Sequence, residues 1–197
     1  MSKGMLIVIS GPSGVGKGTV LEKVFERDSN LSYSVSCTTR DIRTNDIDGV
    51  TYHFITKEQF EQNISEGKML EYTVYCDNYY GTSAEFVELQ RQQGKDVVLE
   101  IETDGAMQIM KKFDDAVTVF IGPPSFSVLE NRLRNRATDS EDVIEKRLTE
   151  AKNELSRAHL YHYTVINNIL ENAIEDVCSI LRAERVKLKN KNYNFEV

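Results

Sequence analysis

The chain has 197 residues, of which 40% are hydrophobic and 28% charged, the proportions of an ordinary globular protein. This length is enough for one compact α/β core with insertions. The net charge of −7 argues against a nucleic-acid-binding surface, which needs a basic face. It does not exclude a local basic pocket for phosphate groups.

Neither the N-terminal segment nor the cysteines indicate export or membrane insertion. The apolar run 5–9 is too short for the hydrophobic region of a secretory signal. No apolar run in the sequence approaches the length that crosses a bilayer. The three cysteines are scattered, so neither a disulfide framework nor a zinc site is expected. We therefore expect a cytoplasmic protein without a membrane partner.

A glycine-rich stretch over residues 10–19 joins a predicted strand to a predicted helix. The strand, over residues 5–9, is an aliphatic run typical of a parallel strand buried on both faces. The helix is predicted from Thr19, with core-facing residues Val20, Leu21, Val24 and Phe25. The pattern G-x-x-x-x-G-K of a phosphate-binding loop begins at Gly11.

This loop has a clear physical rationale. Its glycines let backbone N–H groups converge on phosphate oxygens without Cβ clashes, and the positive end of the helix faces the same anion. Lys17 adds a mobile charge for the outer phosphates. Gly18 stands where Ser or Thr usually offers a hydroxyl to magnesium, and Thr19 supplies one a residue later. The alternative is a glycine-rich turn that binds no ligand.

The remaining aliphatic runs predict a parallel sheet. Buried strands are expected at residues 97–101, 117–121 and 164–166, and a shorter strand around 33–36 beside the first strand. Helical patterns separate most of these strands, as in α/β folds, where ligands gather at the carboxyl ends of the strands.

Residues 37–93 have a different pattern. Alternating residues over 51–55 and 69–75 predict half-buried strands on either side of a helix over 57–65. Strands with one solvated face suggest a small antiparallel insertion.

Two capping boxes are predicted. Thr56 and Gln59 fit the start of the helix in the insertion. Thr138 and Glu141 fit a second box, which divides the arginine-rich segment 126–149 into helix, break and helix. This segment is a candidate lid.

Three groups of arginines stand out in an acidic chain. They are Arg40 with Arg43, Arg132 with Arg134 and Arg136, and Arg147. Guanidinium groups bind phosphate oxygens in a bidentate fork. On a regular helix, Arg132 and Arg136 share one face, and a bound phosphate would neutralise the pair. A solvated basic face is the alternative.

Glu71 lies in an otherwise apolar and aromatic strand. A half-buried carboxylate accepts two hydrogen bonds side by side, and guanine offers two such donors, N1–H and the 2-amino group. The hydroxyl of Thr82 could serve guanine O6. Such a site rejects adenine, because its buried acceptor would stay unpaired. The alternative is a surface glutamate on an edge strand.

These stretches together resemble the guanylate kinases, over residues 5 to about 185. The resemblance is carried by residues 10–19, Ser36-Cys37-Thr38-Thr39-Arg40, Tyr79-Tyr80-Gly81-Thr82-Ser83, Leu99-Glu100-Ile101, Pro123-Pro124-Ser125, Arg132 through Ser140, and Arg147. It implies an α/β P-loop three-layer fold with a central parallel sheet, a small mixed α/β nucleotide-binding insertion and a helical lid. The implied divisions are a core of residues 1–36, 94–125 and 150–197, a GMP-binding insertion of 37–93, and a lid of 126–149.

The same resemblance implies an activity and its residues. The γ-phosphoryl group of ATP passes to GMP, and to dGMP, by Mg²⁺-assisted in-line transfer, giving ADP and GDP in purine metabolism. The implied catalytic residues are Lys17, Arg43, Arg136 and Arg147. The implied ATP-binding residues are Gly11, Pro12, Ser13, Gly14, Val15, Gly16, Lys17, Gly18, Thr19, Arg132 and Asn167. The implied GMP-binding residues are Ser36, Arg40, Arg43, Tyr52, Glu71, Tyr80, Thr82 and Glu102. Those implied near the metal are Thr19 and Glu100.

The sequence departs from the family pattern at several positions. Ile42 replaces a usual Pro, which frees a φ angle in the first arginine loop. Asn45 and Asp46 replace a usual Gly-Glu. Glu102 is one methylene longer than the Asp that contacts the guanine amino group in the family, and Asp104 replaces a Gln.

Two other functions remain open from the residues alone. One is a kinase for another nucleoside monophosphate, against which Glu71 and Thr82 argue. The other is a guanylate-kinase-like binding module of membrane-associated scaffolds, against which the intact phosphate loop argues. The oligomeric state, monomer or homodimer, also remains open. His159 and His162 are interpreted as helix surface or packing, because no third metal ligand is evident.

Overall fold

The computed structural model describes residues 3–75, 77–135 and 140–187. Within these ranges the strands are β1 (Leu6–Ser10), β2 (Leu31–Tyr33), β3 (Cys37–Thr38), β4 (His53–Phe54), β5 (Met69–Tyr75), β6 (Asn78–Ser83), β7 (Asp96–Glu100), β8 (Val117–Gly122) and β9 (Tyr163–Ile166). The α-helices are α1 (Lys17–Arg27), α2 (Lys57–Ser65), α3 (Ala84–Gln92), α4 (Thr103–Lys112), α5 (Phe126–Arg134), α6 (Glu141–Ser156) and α7 (Leu170–Val186).

The central sheet has the strand order β2-β7-β1-β8-β9. Strand β2 runs parallel to β7, with Leu31 opposite Asp96, and β9 runs parallel to β8, with Tyr163 opposite Val119. All residues of β1 and β8 are buried, as their aliphatic runs predict. The predicted α/β fold with a central parallel sheet is therefore confirmed.

Two strand predictions were wrong in detail. The short strand lies at Leu31–Tyr33 and pairs with β7, not with the first strand. Strand β9 was predicted as buried, but among its residues only Val165 is buried. Among the described strands, β2 and β9 form the two edges of the central sheet, so each has one neighbouring strand instead of two.

The chain divides into two compact units. Residues 3–8 and 30–116 belong to the first, and residues 9–29 and those from Val117 onward belong to the second. Strand β1 passes from one unit into the other.

A four-stranded sheet of order β4-β3-β6-β5 lies in the first unit. Strand β6 runs antiparallel to both β5 and β3, but β3 and β4 are parallel, so the sheet is mixed and not antiparallel as predicted. Only His53–Phe54 of the predicted strand 51–55 is present.

Helix α2 is confirmed at the predicted bounds, with the capping box of Thr56 and Gln59. Its Phe60 is fully buried and stacks on Tyr79, with ring centroids 5.0 Å apart. This stacking packs the helix on the mixed sheet.

In the second unit, α1 begins two residues before the predicted start. Val20, Leu21 and Val24 are buried as expected, whereas Phe25 is half-buried. The predicted helix, break and helix over 126–149 corresponds to α5 and α6, but α6 continues to Ser156.

The second capping box was predicted wrongly. Helix α6 begins at Glu141 with Ser140 at the N-cap, and no side chain caps it. Glu141 is therefore the first helical residue and not the third, as a box with Thr138 requires. Thr138 itself lies outside the described residues. None of the helices in the described ranges is long and apolar enough to span a membrane.

Candidate active site

The predicted phosphate-binding loop follows β1 in the second unit. Gly16 is the N-cap of α1 and has the left-handed conformation, with φ 92°. A Cβ at this position would lie 2.7 Å from Nδ2 of Asn167, and one at Gly11 would lie 2.1 Å from the carbonyl oxygen of Ile121. Both the backbone conformation and the space around the loop therefore require glycine.

The basic groups of Lys17 and Arg147 lie on this loop. The ammonium of Lys17 donates to the carbonyl oxygens of Gly11 and Pro12, the latter at 3.3 Å. Arg147, on α6, donates to the hydroxyl of Ser13. The fold thus brings two predicted catalytic cations, far apart in the sequence, to one loop.

Arg132 and Asn167 support the loop through its backbone. The carbonyl oxygen of Val15 accepts from Nδ2 of Asn167 at 2.8 Å and from Nη1 of Arg132 at 3.4 Å. Nη2 of Arg132 also donates to the carbonyl oxygen of Asn167 at 2.9 Å. Val15 is fully buried and Asn167 is 7% exposed. Because they bind the buried carbonyl group of Val15, the side chains of Arg132 and Asn167 fix the conformation of the loop.

The second arginine group does not behave as one basic cluster. Arg134 is paired with three carboxylates, those of Glu130, Glu141 and Glu145. These partners raise its pKa, the largest effect being the hydrogen bond to Glu141. Helix α5 ends at Arg134, and Arg136 lies outside the described residues, so its shared face with Arg132 stays a prediction.

Glu71 and Thr82 form a buried pair in the first unit. They lie directly opposite each other on β5 and β6 and are 2% and 0% exposed. The Thr82 hydroxyl donates to Oε1 of Glu71 at 2.7 Å. Its single proton is therefore used within the protein, whereas the sequence suggested that it serves guanine O6.

A β-bulge produces this pairing. Ser83 lies opposite Met69, but Thr82 lies opposite Glu71, so β5 contains one extra residue, Leu70. Three successive residues, Met69, Leu70 and Glu71, are consequently buried, against the alternation of a regular strand. The bulge thus turns the only acidic side chain of β5 toward the protein interior.

Burial raises the pKa of Glu71 to about 7. Among smaller effects, the charge of Glu102 raises this pKa, whereas the hydrogen bond from Thr82 and the charge of Lys112 lower it. A buried carboxylate with such a pKa, hydrogen-bonded to a hydroxyl group, is a candidate functional group.

Arg40 lies among aromatic rings. Its guanidinium is 5.4 Å from the ring centroid of Tyr52 and 5.5 Å from that of Phe54. The ring of Tyr80 contacts that of Tyr52 edge-on, with centroids 5.9 Å apart. Burial raises the pKa of Tyr52, so its hydroxyl remains a neutral donor. The structure therefore brings together one cation and two tyrosines, which the family resemblance implies as GMP-binding residues.

Asp46 closes the loop that carries both arginines. Its Oδ2 accepts from Nη1 of Arg40 at 2.8 Å and from the backbone N–H of Arg43 at 2.7 Å. The hydrogen bond from Arg40, followed by that from Arg43, lowers the pKa of Asp46. The departure from the family glutamate therefore keeps a carboxylate that holds the loop together. The side chain of Arg43 is exposed.

The other predicted residues lie as follows. Glu100 ends β7 and accepts from the Tyr33 hydroxyl at 3.4 Å. Glu102 is exposed at the N-cap of α4, and Ser36 is half-buried. Thr19 is exposed in the first turn of α1. Among the described residues, no group of three or more His, Cys, Asp and Glu side chains could hold a metal ion.

Sequence reasoning missed a stripe of contact residues on α4, formed by Gly105, Gln108 and Lys112. These residues are spaced i, i+3 and i+7, so they lie on one face of the helix. All three contact the bulged part of β5. The available signal was a glycine inside a helical pattern, which weakens a helix unless packing requires it.

The loop geometry, with a strand, a left-handed glycine before a helix and a lysine on the loop, defines a P-loop protein. The guanylate kinase family model matches residues 3–184. Guanylate kinase of Oceanobacillus iheyensis is 46% identical over 94% of this chain and 90% of its own length. Guanylate kinase of Carboxydothermus hydrogenoformans is 47% identical over 98% of this chain and 95% of its own length.

A solved structure agrees with these sequence comparisons. The crystal structure of guanylate kinase from Anaplasma phagocytophilum matches with a TM-score of 0.80 and 32% identity, over 96% of this chain and 90% of that one. The chain belongs to the guanylate kinase family, as its sequence motifs predict.

Proposed function

We propose that the protein is a kinase that transfers the γ-phosphoryl group of ATP to GMP, giving ADP and GDP. The observation that carries the choice of acceptor is the buried carboxylate of Glu71, held by Thr82 at 2.7 Å. In its ionised form this carboxylate offers two acceptors to N1–H and the 2-amino group of guanine. Adenine has neither donor on that edge, so it would leave the buried acceptor unpaired.

The first unit supplies the acceptor site in this proposal. Arg40, Tyr52 and Tyr80 bind the GMP phosphate, with Arg43 beside them on the loop that Asp46 closes. The base is bound by Glu71, with Ser36, Thr82 and Glu102 as the remaining residues around it. The proposal includes dGMP as a second acceptor, because the groups that these residues would bind are the guanine base and the phosphate.

The donor site belongs to the second unit. Backbone N–H groups within the loop of residues 11–19, other than at Pro12, bind the ATP phosphates, and the Arg132–Asn167 pair fixes the loop behind them. Lys17, Arg136 and Arg147 neutralise the charge that develops on the transferred phosphoryl group. Because the transition state is loose and in line, positioning and charge neutralisation provide most of the catalysis.

The family resemblance implies magnesium as the cofactor. Of the two residues implied near it, Thr19 carries a hydroxyl and Glu100 a carboxylate, and oxygen is the ligand type that Mg²⁺ requires. In nucleotide kinases the remaining ligands are substrate phosphates and water. When bound, the ion neutralises charge on the β- and γ-phosphates. The carboxylate of Glu100 is oriented by the Tyr33 hydroxyl.

The same proposal covers the organisation of the chain and its location. Residues 37–93 bind GMP and residues 126–149 form the lid; the contact of Arg147 with Ser13 supports the second role.

A cytoplasmic location is supported by Cys37 and Cys178, which are free thiols, as is usual in reducing compartments.

A coupled assay of ADP release tests the function. ATP and Mg²⁺ are supplied with GMP, AMP, CMP or UMP in separate reactions. We expect turnover with GMP and at least about 10²-fold lower kcat/KM with the others, as for sites that hydrogen-bond a defined base edge. Turnover led by another nucleotide would contradict the role of Glu71. No turnover with any acceptor, despite ATP binding, would contradict the kinase assignment and favour a binding module.

The pH dependence of GMP use should report the ionisation of Glu71. Its pKa is raised to about 7, so the carboxylate is ionised above this pH and becomes protonated below it. Protonation removes one of the two acceptors, so kcat/KM for GMP should fall roughly tenfold per pH unit below about 7. The KM for ATP, measured over the same range, should not follow this profile. A flat GMP profile down to pH 5 would contradict the prediction.

Replacement of Asp46 by alanine should weaken GMP binding. Arg40 loses its carboxylate partner and the Arg43 N–H loses its acceptor, so the loop no longer presents both guanidinium groups together. We expect the KM for GMP to rise roughly tenfold, with the KM for ATP changed less than about twofold. Asp41→Ala, an exposed carboxylate of the same loop, is the control and should leave both values unchanged. An equal effect of both variants would contradict a specific role of Asp46.

A further inference from the structure

The backbone does not explain the glycine at position 105. Gly105 is the third residue of α4, and it is not among the residues with positive φ. Glycine within a helix weakens it relative to alanine, because glycine loses more conformational freedom on folding. The reason for this residue must therefore be sought in what contacts it.

The carboxylate of Glu71 occupies the space next to Gly105. A Cβ at this position would lie 2.3 Å from Oε2 of Glu71 and 3.1 Å from its Cδ. The first distance is far below any non-bonded contact, so an added methyl group must displace the carboxylate. The hydroxyl of Thr82 holds the other oxygen at 2.7 Å. Glu71 is thus confined from both sides at a position where it is 2% exposed.

The other two residues of the α4 stripe, Gln108 and Lys112, hold the helix next to this carboxylate. Gln108 accepts from the backbone N–H of Tyr72 at 3.3 Å and donates to its carbonyl oxygen at 2.7 Å. Lys112 donates to the carbonyl oxygen of Leu70 at 2.9 Å. These bonds attach α4 to the two residues that flank Glu71. Helix α4 therefore cannot simply move away to accommodate a larger residue without losing them.

We propose that Gly105 is a specificity-determining positioning residue, which leaves room for the Glu71 carboxylate in the orientation that reads guanine. This inference rests on the proposed function, in which Glu71 accepts from N1–H and the 2-amino group. Gly105 itself does not touch the base. It acts through Glu71, by allowing Oε2 to reach a place that any side chain would fill.

The first test compares Gly105→Ala with the wild type in steady-state kinetics. Inosine monophosphate (IMP) is used beside GMP, because it keeps N1–H but lacks the 2-amino group. We expect the KM for GMP to rise at least about tenfold, as for the loss of a buried hydrogen bond to charge. The KM for ATP should change less than about twofold, since the donor site is untouched. The preference for GMP over IMP should fall, because IMP loses less from a displaced Glu71.

A purely structural role of Gly105 gives a different result. Losses of equal size for GMP, IMP and ATP, or an unchanged KM for GMP, would overturn the proposal. Lys111→Ala is the matched control, since Lys111 is an exposed residue of the same helix. It should leave all three KM values at the wild-type level.

The second test needs no substrate. Urea unfolding is measured for wild type, Gly105→Ala, Glu71→Ala and the double variant. Gly105→Ala should lower the unfolding midpoint in the wild-type background and raise it in the Glu71→Ala background, where alanine only improves the helix. Identical shifts in both backgrounds would overturn the role of Gly105. Coupled shifts in a protein that produces no ADP with GMP would overturn the proposed function and the guanine specificity, but not the steric contact.

Discussion

Replacement of Lys17 by methionine should reduce kcat for ADP formation at least about 10²-fold, the usual loss for one electrostatic donor at a reacting centre. Methionine has nearly the length of lysine but no charge. The ammonium lies on the phosphate-binding loop, where it donates to the carbonyl oxygens of Gly11 and Pro12. From this position the ammonium group can stabilise the negative charge that develops on the transferred phosphoryl group. The coupled ADP-release assay at saturating ATP and GMP measures this loss.

The matched control for this variant is Lys23→Met on the same helix. The side chain of Lys23 is 43% exposed and is paired with Glu26 at 2.7 Å. Its replacement should leave kcat within about twofold of the wild type, because exposed ion pairs contribute little. GMP affinity of Lys17→Met, measured by titration without ATP, should remain that of the wild type. A wild-type kcat in Lys17→Met would contradict a catalytic role of Lys17.

Replacement of Glu71 by glutamine should lower kcat/KM for GMP at least about 10²-fold, chiefly through KM, since a site built for paired hydrogen bonds loses them. Glutamine keeps the size and one acceptor oxygen. Its amide NH₂ group, however, presents donors where the guanine edge also presents a donor. The charge is lost as well, so the fall in GMP use below pH 7 should disappear in this variant. Initial rates over a range of GMP concentrations and pH values measure both effects.

Folding of the glutamine variant provides an internal check. The pKa of Glu71 is raised in the folded protein, from an ordinary value of 4.5 to about 7. Its contribution to stability is therefore fully present below pH 4.5 and is lost as the pH rises through 7. Glu71→Gln lacks this loss, so above pH 7 it should be at least as stable as the wild type.

The control for Glu71→Gln is Glu85→Gln, an exposed carboxylate in the same unit. It should leave the KM for GMP unchanged. If Glu71→Gln retained the wild-type KM for GMP, the base would be read elsewhere, and the assignment of Glu71 would be wrong.

Much of this protein follows from short stretches of sequence. The phosphate-binding loop, the capping box of Thr56 and Gln59 and strand β5 were predicted at or near their observed positions. Each depends on residues within one turn or a few positions of one another. Local steric and hydrogen-bonding preferences are sufficient to specify such features.

Other features depend on partners that are distant in the sequence. The neighbour of β2 is β7, although the order of the chain favoured the first strand. Arg134 has the same side chain as its arginine neighbours, yet three glutamates neutralise it. The contacts of Arg147 with Ser13 and of Asn167 with Val15 join residues more than a hundred positions apart. No local pattern encodes these pairings.

The sequence by itself determined the phosphate-binding loop and the types of side chain available to handle charge, because these depend on residue type and spacing. It also indicated the family, through the resemblance of its motifs to those of the guanylate kinases. Only the tertiary structure decided how Glu71 is placed. The bulge at Leu70 turns it inward, Thr82 holds one oxygen, and Gly105 leaves space for the other. Strand register and close packing are set by contacts between separate elements, so they are absent from any single stretch of the chain.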